Sequence, residues 1–340
     1  MASEASSSSN AIITWYLYMG VDGEAVPMDV THLRVHHSVT VIPEDAFEGR
    51  EKLQQVELPV GLRKIGAGAF SGCQRLENVD LPDGLQEIGE AAFYLCRSLP
   101  RSIKIPPNIR VIPEEAFLEC RSLTEVDLPE GLREIGKRAF HACYSLERIN
   151  FPSTLKVICK EAFHLTFLSS IDLPDGVERI GKTVFGGHAL WGNKVLKMRI
   201  PPLINFIPKW ALRHCESMFS LELPEGVNQI CDGALLECRH LRNLAIPPNA
   251  EIDEGDFSFV LDDCWDLSRL FDSSGLTCKE SNTRVKDALM HRFDGLPIHK
   301  ICYYQSYHPT ETTLNRLSEA INVRTGQSGN QQDCLGMTPL

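Results

Sequence analysis

The sequence predicts an α/β solenoid with a parallel sheet lining one side, followed by a small helical tail. Three observations support this fold: a sixteen-residue phrase recurs along the chain, apolar residues keep fixed spacings within each copy, and the phrase is lost in a polar C-terminal segment. Self-similarity at a constant period is the sequence signature of a repeat architecture. Each copy is therefore expected to form one rung of a stack.

The phrase is clearest as LPVGLRKIGAGAFSGC from Leu58, LPDGLQEIGEAAFYLC from Leu81 and LPEGLREIGKRAFHAC from Leu128. With its first Leu as the origin of a rung, the usual step is 23 residues, and small insertions precede Ile105 and Ile200. The origins are Val35, Leu58, Leu81, Ile105, Leu128, Phe151, Leu173, Ile200, Leu223 and Ile246.

Each column of the repeat has a physical role. Apolar residues at the origin and two positions before it alternate with a polar residue, which predicts a strand. The Pro after the origin ends that strand, and Gly or Asn two positions later favours a turn. Ile then occurs seven positions after the origin and is followed by a small-plus-large pair such as Ala139-Phe140. About a turn and a half of helix is expected at this pair. One unit cannot bury its own apolar face, whereas stacked units can.

The pattern L-x-x-V-x-L-P-x-G-L-x-x-I-G-x-x-A-F-x-x-C resembles a leucine-rich repeat of the BspA-like subclass, over residues 30–276. This resemblance implies a solenoid whose parallel sheet lines the concave face and whose outward strand residues meet partners. Residues 1–29 form an N-terminal segment in which WYLYMGVDGEAVP is expected to add a strand and a turn that cover the first rung.

Residues 277–290 are interpreted as a linker, and residues 291–340 as an ankyrin-like helical segment. The GLPIH motif from Gly295 resembles the opening of an ankyrin repeat, and DCLGMTPL resembles a second opening that stops before its helix. The segment is therefore expected to be truncated. A leucine-rich array followed by such a tail is similar to predicted diatom proteins, an analogy that implies no mechanism.

Six of the twelve cysteines share one column, three positions after the large residue of the pair. Stacked side chains in register point the same way, which places their sulfurs badly for disulfides. A column also offers one ligand per rung rather than a tetrahedral set, so neither a metal nor a cofactor is expected. Buried, reduced thiols are predicted at Cys73, Cys96, Cys120, Cys143, Cys215 and Cys238.

Catalytic motifs are missing from the sequence: there is no P-loop, no H-E-x-x-H and no G-x-S-x-G, so an enzyme is not expected. The net charge of −11 argues against broad nucleic-acid binding. No apolar run is long enough to span a membrane, and the first residues lack the pattern of a secretory signal. The predicted partners are other proteins, in the cytoplasm.

Two groups of residues are candidates for contact with a partner. Polar strand positions form a mostly acidic column on the expected concave face, comprising Glu57, Asp80, Glu125, Asp127, Asp172 and Glu222. An insertion from Gly186 to Met198 departs from the repeat and gives a basic group with one aromatic anchor, comprising Trp191, Lys194, Lys197 and Arg199. The alternatives are a merely solvated face and, for the insertion, a slipped repeat with Trp191 capping a local gap.

The sequence therefore predicts a non-enzymatic scaffold for protein–protein interaction. Rigid repeat stacks offer long binding surfaces, and two types of repeat in one chain offer two of them. A cell-surface or secreted adhesin of the BspA-like kind is the first alternative. The regulatory part of a longer enzyme is the second.

Overall fold

A computed structural model describes residues 15–187, 194–241, 243–245, 247 and 250–252. Within these ranges the chain forms twenty short strands, numbered β1 to β20 in chain order, and no helix. All strand pairs there are parallel, and neighbouring strands come from successive rungs. The predicted solenoid of parallel strands is therefore confirmed in this part of the chain.

The first ladder, called here the first sheet, contains the strands that end at or near the rung origins. The described strands of the first sheet fall into three groups. The first group ends before the insertion that precedes Ile105, and the second ends before the rung of Leu173, in which Ile171 forms an isolated bridge to Met198. The strands are β1 (Trp15–Tyr18), β2 (His32–Val35), β4 (Gln55–Glu57), β6 (Asn78–Val79), β8 (Ser102–Lys104), β10 (Glu125–Asp127), β12 (Arg148–Asn150), β15 (Lys197–Arg199), β17 (Ser220–Glu222) and β19 (Asn243–Ala245).

The second ladder, called here the second sheet, contains the two-residue strands that carry the Ile column. It follows the Pro-x-Gly turn of each rung and falls into three described groups. The strands are β3 (Val41–Ile42), β5 (Lys64–Ile65), β7 (Glu87–Ile88), β9 (Val111–Ile112), β11 (Glu134–Ile135), β13 (Val157–Ile158), β14 (Arg179–Ile180), β16 (Phe206–Ile207), β18 (Gln229–Ile230) and β20 (Glu251–Ile252).

The N-terminal strand β1 covers the first rung, as the sequence predicted. It pairs with β2 in register, from Trp15 opposite His32 to Tyr18 opposite Val35. The ring of Tyr18 is buried and meets Phe47 edge-on, with centroids 5.0 Å apart. An aromatic residue of the N-terminal segment thus closes the end of the apolar core.

A column of stacked phenylalanines, called here the Phe spine, runs through the core. The spine comprises Phe47, Phe70, Phe93, Phe117, Phe140, Phe163 and Phe185, all buried. In its centre the rings of Phe117 and Phe140 lie 5.3 Å apart and within 3° of parallel. Each ring packs mainly on the copies of itself in neighbouring rungs, which confirms that the repeat columns are in phase.

The predicted turn and a half of helix beside the Phe spine is wrong. In the rung of Phe140, Arg138 and Ala142 have φ values of 54° and 58°, in the left-handed region that a right-handed helix excludes. Their N–H groups donate to the carbonyls of Lys160 and His164 in the next rung, at 3.0 and 2.9 Å. The segment is a turn whose hydrogen bonds run between rungs, so helical bonds within one rung are not needed.

The cysteine column is buried, as predicted, but it is not simply apolar. Cys120 Sγ lies 3.2 Å from the carbonyl oxygen of Phe93 in the preceding rung, and Cys143 Sγ lies 3.1 Å from that of Phe117. Thr166, in the same column, donates its hydroxyl to Phe163 O at 2.8 Å. Both residue types in this column are small and donate to a carbonyl of the Phe spine, the thiols to the preceding rung and Thr166 to its own rung.

Burial keeps these thiols protonated. It raises the pKa of Cys73 and of Cys143 to about 12, and raises the pKa of Cys96 and Cys120 well above the usual value. The thiolate is the reactive form of cysteine, so we expect these side chains to react slowly in the folded chain. The end of the solenoid at residue 276, the linker and the ankyrin-like segment lie outside the described residues.

Candidate partner-binding surface

The outward positions of the first sheet form a polar face that extends over its three groups of paired strands. The register places Asp127 between Lys104 and Asn150, and it places Arg199 opposite Glu222. The residue between each pair of outward positions, such as Val126 or Leu221, points inward and is buried. The structure therefore brings the predicted column residues to one face, because side chains alternate across a strand.

Two of the predicted acidic residues are neutralised within the face. Glu57 lies 2.5 Å from Arg34 Nε in the preceding rung, and this hydrogen bond lowers the pKa of the Glu57 carboxyl. Glu125 lies 2.8 Å from Arg148 in the following rung. Both pairs are substantially exposed, so they stabilise the fold little. The carboxylates of Glu57 and Glu125 nevertheless already have arginine partners, so they are less available to a binding protein.

The other four predicted carboxylates are exposed. In the part of the chain that the structure describes, none of them takes part in an ion pair or a side-chain hydrogen bond. They are Asp80, Asp127, Asp172 and Glu222. These four side chains are therefore the ones available to a partner's cations.

The cations of the same column are held by acids of the turns. Lys104 lies 3.5 Å from Asp83, and Arg199 lies 2.6 Å from Asp175. Both acids belong to the Pro-x-Gly turn of the preceding rung. These pairs reduce the positive charge that the column shows to solvent. The basic group of the insertion is thus weaker than the sequence indicates.

The insertion is described only in part. Lys194 pairs with Glu147 at 3.1 Å, and Lys197 Nζ lies 5.4 Å from the centre of the Phe219 ring. Both lysines are exposed. Trp191 lies outside the described residues, so its role as an aromatic anchor stays a prediction.

Sequence reasoning missed an aromatic group at the N-terminal edge of the face. The Trp15 ring meets His32 edge-on at 5.1 Å, and the Arg34 guanidinium lies 5.1 Å from the centre of the same ring. Arg34 occupies the column of Asp80, one rung before Glu57. The sequence could have indicated that Arg34 lies on this face, since it directly precedes the first origin, Val35.

A second missed group lies away from the first sheet. One donor atom each from His214, Glu216 and Glu237 come within 4.8 Å of one another, an arrangement that could hold a metal ion. Arg239, however, lies 3.4 Å from Glu216 and 3.3 Å from Glu237. Burial lowers the pKa of His214. A metal ion would have to displace the guanidinium, so we interpret the group as a partly buried charge network.

The repeat geometry agrees with the comparison to protein families. The model described as "BspA type Leucine rich repeat region" matches residues 28–101, 100–190 and 168–263, in six copies. The chain belongs to the BspA-type leucine-rich repeat family. The described BspA-type rungs contain no helix that is long and apolar enough to cross a membrane. No curated protein matches the chain.

Solved leucine-rich repeat structures resemble parts of the chain. A leucine-rich cell surface protein from Faecalibacterium prausnitzii is 24% identical over 69% of this chain and 77% of its own, with a TM-score of 0.40. A leucine-rich repeat protein from Bacteroides ovatus is 25% identical over 66% and 74%, with a TM-score of 0.42. The leucine-rich repeat protein of T. pallidum is 25% identical over 62% and 77%, with a TM-score of 0.31.

Proposed function

We propose that this BspA-type chain is a non-enzymatic scaffold that binds other proteins on the outward face of its first sheet. The observation that carries the proposal is a set of four exposed carboxylates that have no ion-pair or side-chain hydrogen-bond partner among the described residues, on a backbone held by inter-rung ladders. Leucine-rich repeat proteins generally bind other proteins. Because the inter-rung ladders hold the backbone of this face in place, binding orders side chains but not the backbone, which limits the loss of conformational entropy.

The acidic face favours partners with a complementary positive surface. Charge complementarity mainly accelerates association and selects partners, while exposed ion pairs add modest affinity. The column of Lys104 and Arg199 does not cancel this preference, because both cations already pair with turn acids. The proposed partner is therefore a protein with a basic contact surface.

The thiol column supports a reducing compartment, and we place the chain in the cytoplasm on that basis. Cys96 and Cys143 use their thiols as hydrogen-bond donors to buried carbonyls, a role that needs the reduced form. Reduced thiols are the normal state of cytosolic proteins. A surface adhesin remains the alternative that the family resemblance implied.

Two measurements together test the proposal. Affinity capture with the full chain, followed by the same capture with Asp80→Asn/Asp127→Asn, should lose the partner selectively from the variant. A partner retained equally by both forms would contradict the assignment of this face. Cell fractionation with non-reducing electrophoresis tests the compartment, since surface exposure with disulfides would favour the adhesin.

A further inference from the structure

The exposed carboxylates of the first sheet occur on alternate rungs. Register and backbone bonds give the order of the rungs, since Asp127 lies beside both Lys104 and Asn150, and Ile171 bridges to Met198. The unpaired carboxylates follow at two-rung intervals as Asp80, Asp127, Asp172 and Glu222. The rungs between them carry Lys104, Asn150 and Arg199 at the same position.

The intervening positions do not interrupt the negative charge with a free positive charge. Lys104 pairs with Asp83, Arg199 pairs with Asp175, and Asn150 is neutral. The neighbouring outward column adds one compensated pair, Glu125 with Arg148, and the exposed Lys197, whose Nζ lies 5.4 Å from the centre of the Phe219 ring. The column of Asp127 itself therefore presents negative charge that repeats every second rung, rather than a uniform acidic strip.

The rung spacing sets the distance between these charges. Neighbouring strands of a sheet lie about 4.8 Å apart, so carboxylates two rungs apart are separated by about 10 Å. First-sheet strands are not paired between β6 and β8 or after β12. The Phe spine, on another side of the rungs, keeps a similar step at both places, 5.4 Å from Phe93 to Phe117 and 5.7 Å from Phe163 to Phe185. A ligand that matches the whole column must present cations at this interval on one side.

Polyproline II geometry has this interval. It has three residues per turn and rises about 3.1 Å per residue, so every third side chain faces the same side, about 9 Å apart. Same-face side chains of an extended strand lie about 7 Å apart, which does not match. An α-helix approaches the interval only at every seventh residue, at about 10.5 Å. A polyproline II segment of about ten residues would reach all four carboxylates.

We propose that the first-sheet face binds a polyproline II segment that carries Arg or Lys at every third position. The segment lies along the stack, across the strands, with its cations on Asp80, Asp127, Asp172 and Glu222. Its backbone has no internal hydrogen bonds and stays solvated, so a face of side chains is sufficient to hold it. This inference rests on the proposed function and specifies the chemistry of the partner.

The direct test compares two synthetic peptides of identical composition with the full chain. One is proline-rich with arginine at every third position, and the other has the same arginines contiguous at its centre. Binding is measured by fluorescence anisotropy at low salt. The spaced peptide should bind about tenfold more tightly, as expected from several additional exposed ion pairs. Equal affinity for the two peptides, or no binding of either, would overturn the inference.

A charge-matched pair of variants locates the site. The column variant removes the four carboxylates as Asp80→Asn, Asp127→Asn, Asp172→Asn and Glu222→Gln. The control variant removes four exposed carboxylates outside the column as Glu44→Gln, Glu48→Gln, Glu90→Gln and Glu251→Gln. The column variant should weaken the spaced peptide about tenfold or more, and the control variant should weaken it far less. An equal loss in both would mean that only net charge attracts the peptide, which contradicts the proposal.

The same variants separate this inference from the proposed function. A protein captured by the full chain, and lost from the column variant, would support the binding face. If the peptides nevertheless failed to differ in affinity, the polyproline II geometry would be wrong while the scaffold function remained. Loss of neither the protein nor the spaced peptide would contradict both.

Discussion

One core column is filled by different side chains in two parts of the solenoid. It holds Phe in the rungs from Phe47 to Phe185, and Leu in the later rungs of Leu212 and Leu235. In the former the spine is aromatic and its central rings are nearly parallel, whereas in the latter Leu fills the column and remains buried. The inter-rung bond is nevertheless kept, since Leu212 N donates to Ala234 O at 3.0 Å, much as Phe140 N donates to Ala162 O at 2.9 Å. The backbone ladder, rather than aromatic stacking, thus sets the form of a rung.

The later rungs also differ in their buried polar groups. Within the described residues, the later rungs place the buried His214 and the paired Glu237 in the left-handed column, where the earlier rungs have Gly49, Gly72, Leu95, Ala142, Leu165 and the likewise paired Glu119. Stacking energy should therefore be concentrated in the earlier rungs.

The largest expected effect comes from a substitution that interrupts the Phe spine. Phe140→Ala should reduce the free energy of unfolding by about 3–5 kcal/mol, because it leaves a cavity between Phe117 and Phe163. Phe140→Leu should cost only about 1–1.5 kcal/mol, since it reproduces the later rungs. Chemical denaturation measures both. A similar loss in the two variants would show that the ring itself, and not its volume, is required.

Acid should destabilise the earlier rungs through His141. Burial, assisted by His164, lowers the pKa of His141 to about 4, from about 6.5 in an unfolded chain. Between these values the unfolded state binds the extra proton, so stability falls as pH decreases through this window and is unaffected above it. Because the ring is partly exposed, we expect about 1–2 kcal/mol.

The matched variant for this effect is His141→Gln. Urea denaturation from pH 7 to pH 4 should show a shallower loss of stability for this variant than for the parent chain, with the acids of the protein contributing equally to both. Parallel pH profiles would mean that His141 titrates normally, and that the carboxylates of Glu119 and Glu161 offset the combined effect of burial, His164 and Arg138.

A smaller effect tests the thiol hydrogen bonds. Cys143→Ala removes the donor to Phe117 O, whereas Cys143→Ser keeps a donor in a side chain of similar size. Ala should therefore be the more destabilising, by about 0.5–1.5 kcal/mol, despite its greater hydrophobicity. Thermal unfolding under reducing conditions measures the difference. If the Ala variant were more stable than the Ser variant, the thiol hydrogen bond would contribute nothing and the column would need only apolar side chains.

Much of the fold was predictable because each structural column of the repeat recurs in many copies of the sequence. Strand alternation at Val126, the buried Phe140 column and the stacked Cys143 column each recur in many copies, so their burial could be predicted without a structure. The helix could not be excluded in this way. Its failure depends on left-handed residues such as Arg138 and on bonds to the next rung, and neither has a side-chain signature.

The candidate site was predictable only in part, for a related reason. A single strand position identified Asp80 and Asp127 as outward residues, because the side-chain period of a strand is two. Which carboxylates are already paired depends on residues one rung away, as with Arg34 for Glu57 and Arg148 for Glu125. Sequence alone indicated the face, and the three-dimensional register selected its free charges.

The central claim, that free charges of the first sheet recruit a protein partner, is tested most directly by association kinetics. Asp80→Lys/Asp127→Lys should leave the unfolding midpoint nearly unchanged, because both side chains face water. For a captured partner, it should slow association about tenfold or more at low salt and flatten the dependence of the rate on salt. Unchanged association rates in the variant, together with salt-insensitive binding of the parent chain, would contradict the claim and leave the face merely solvated.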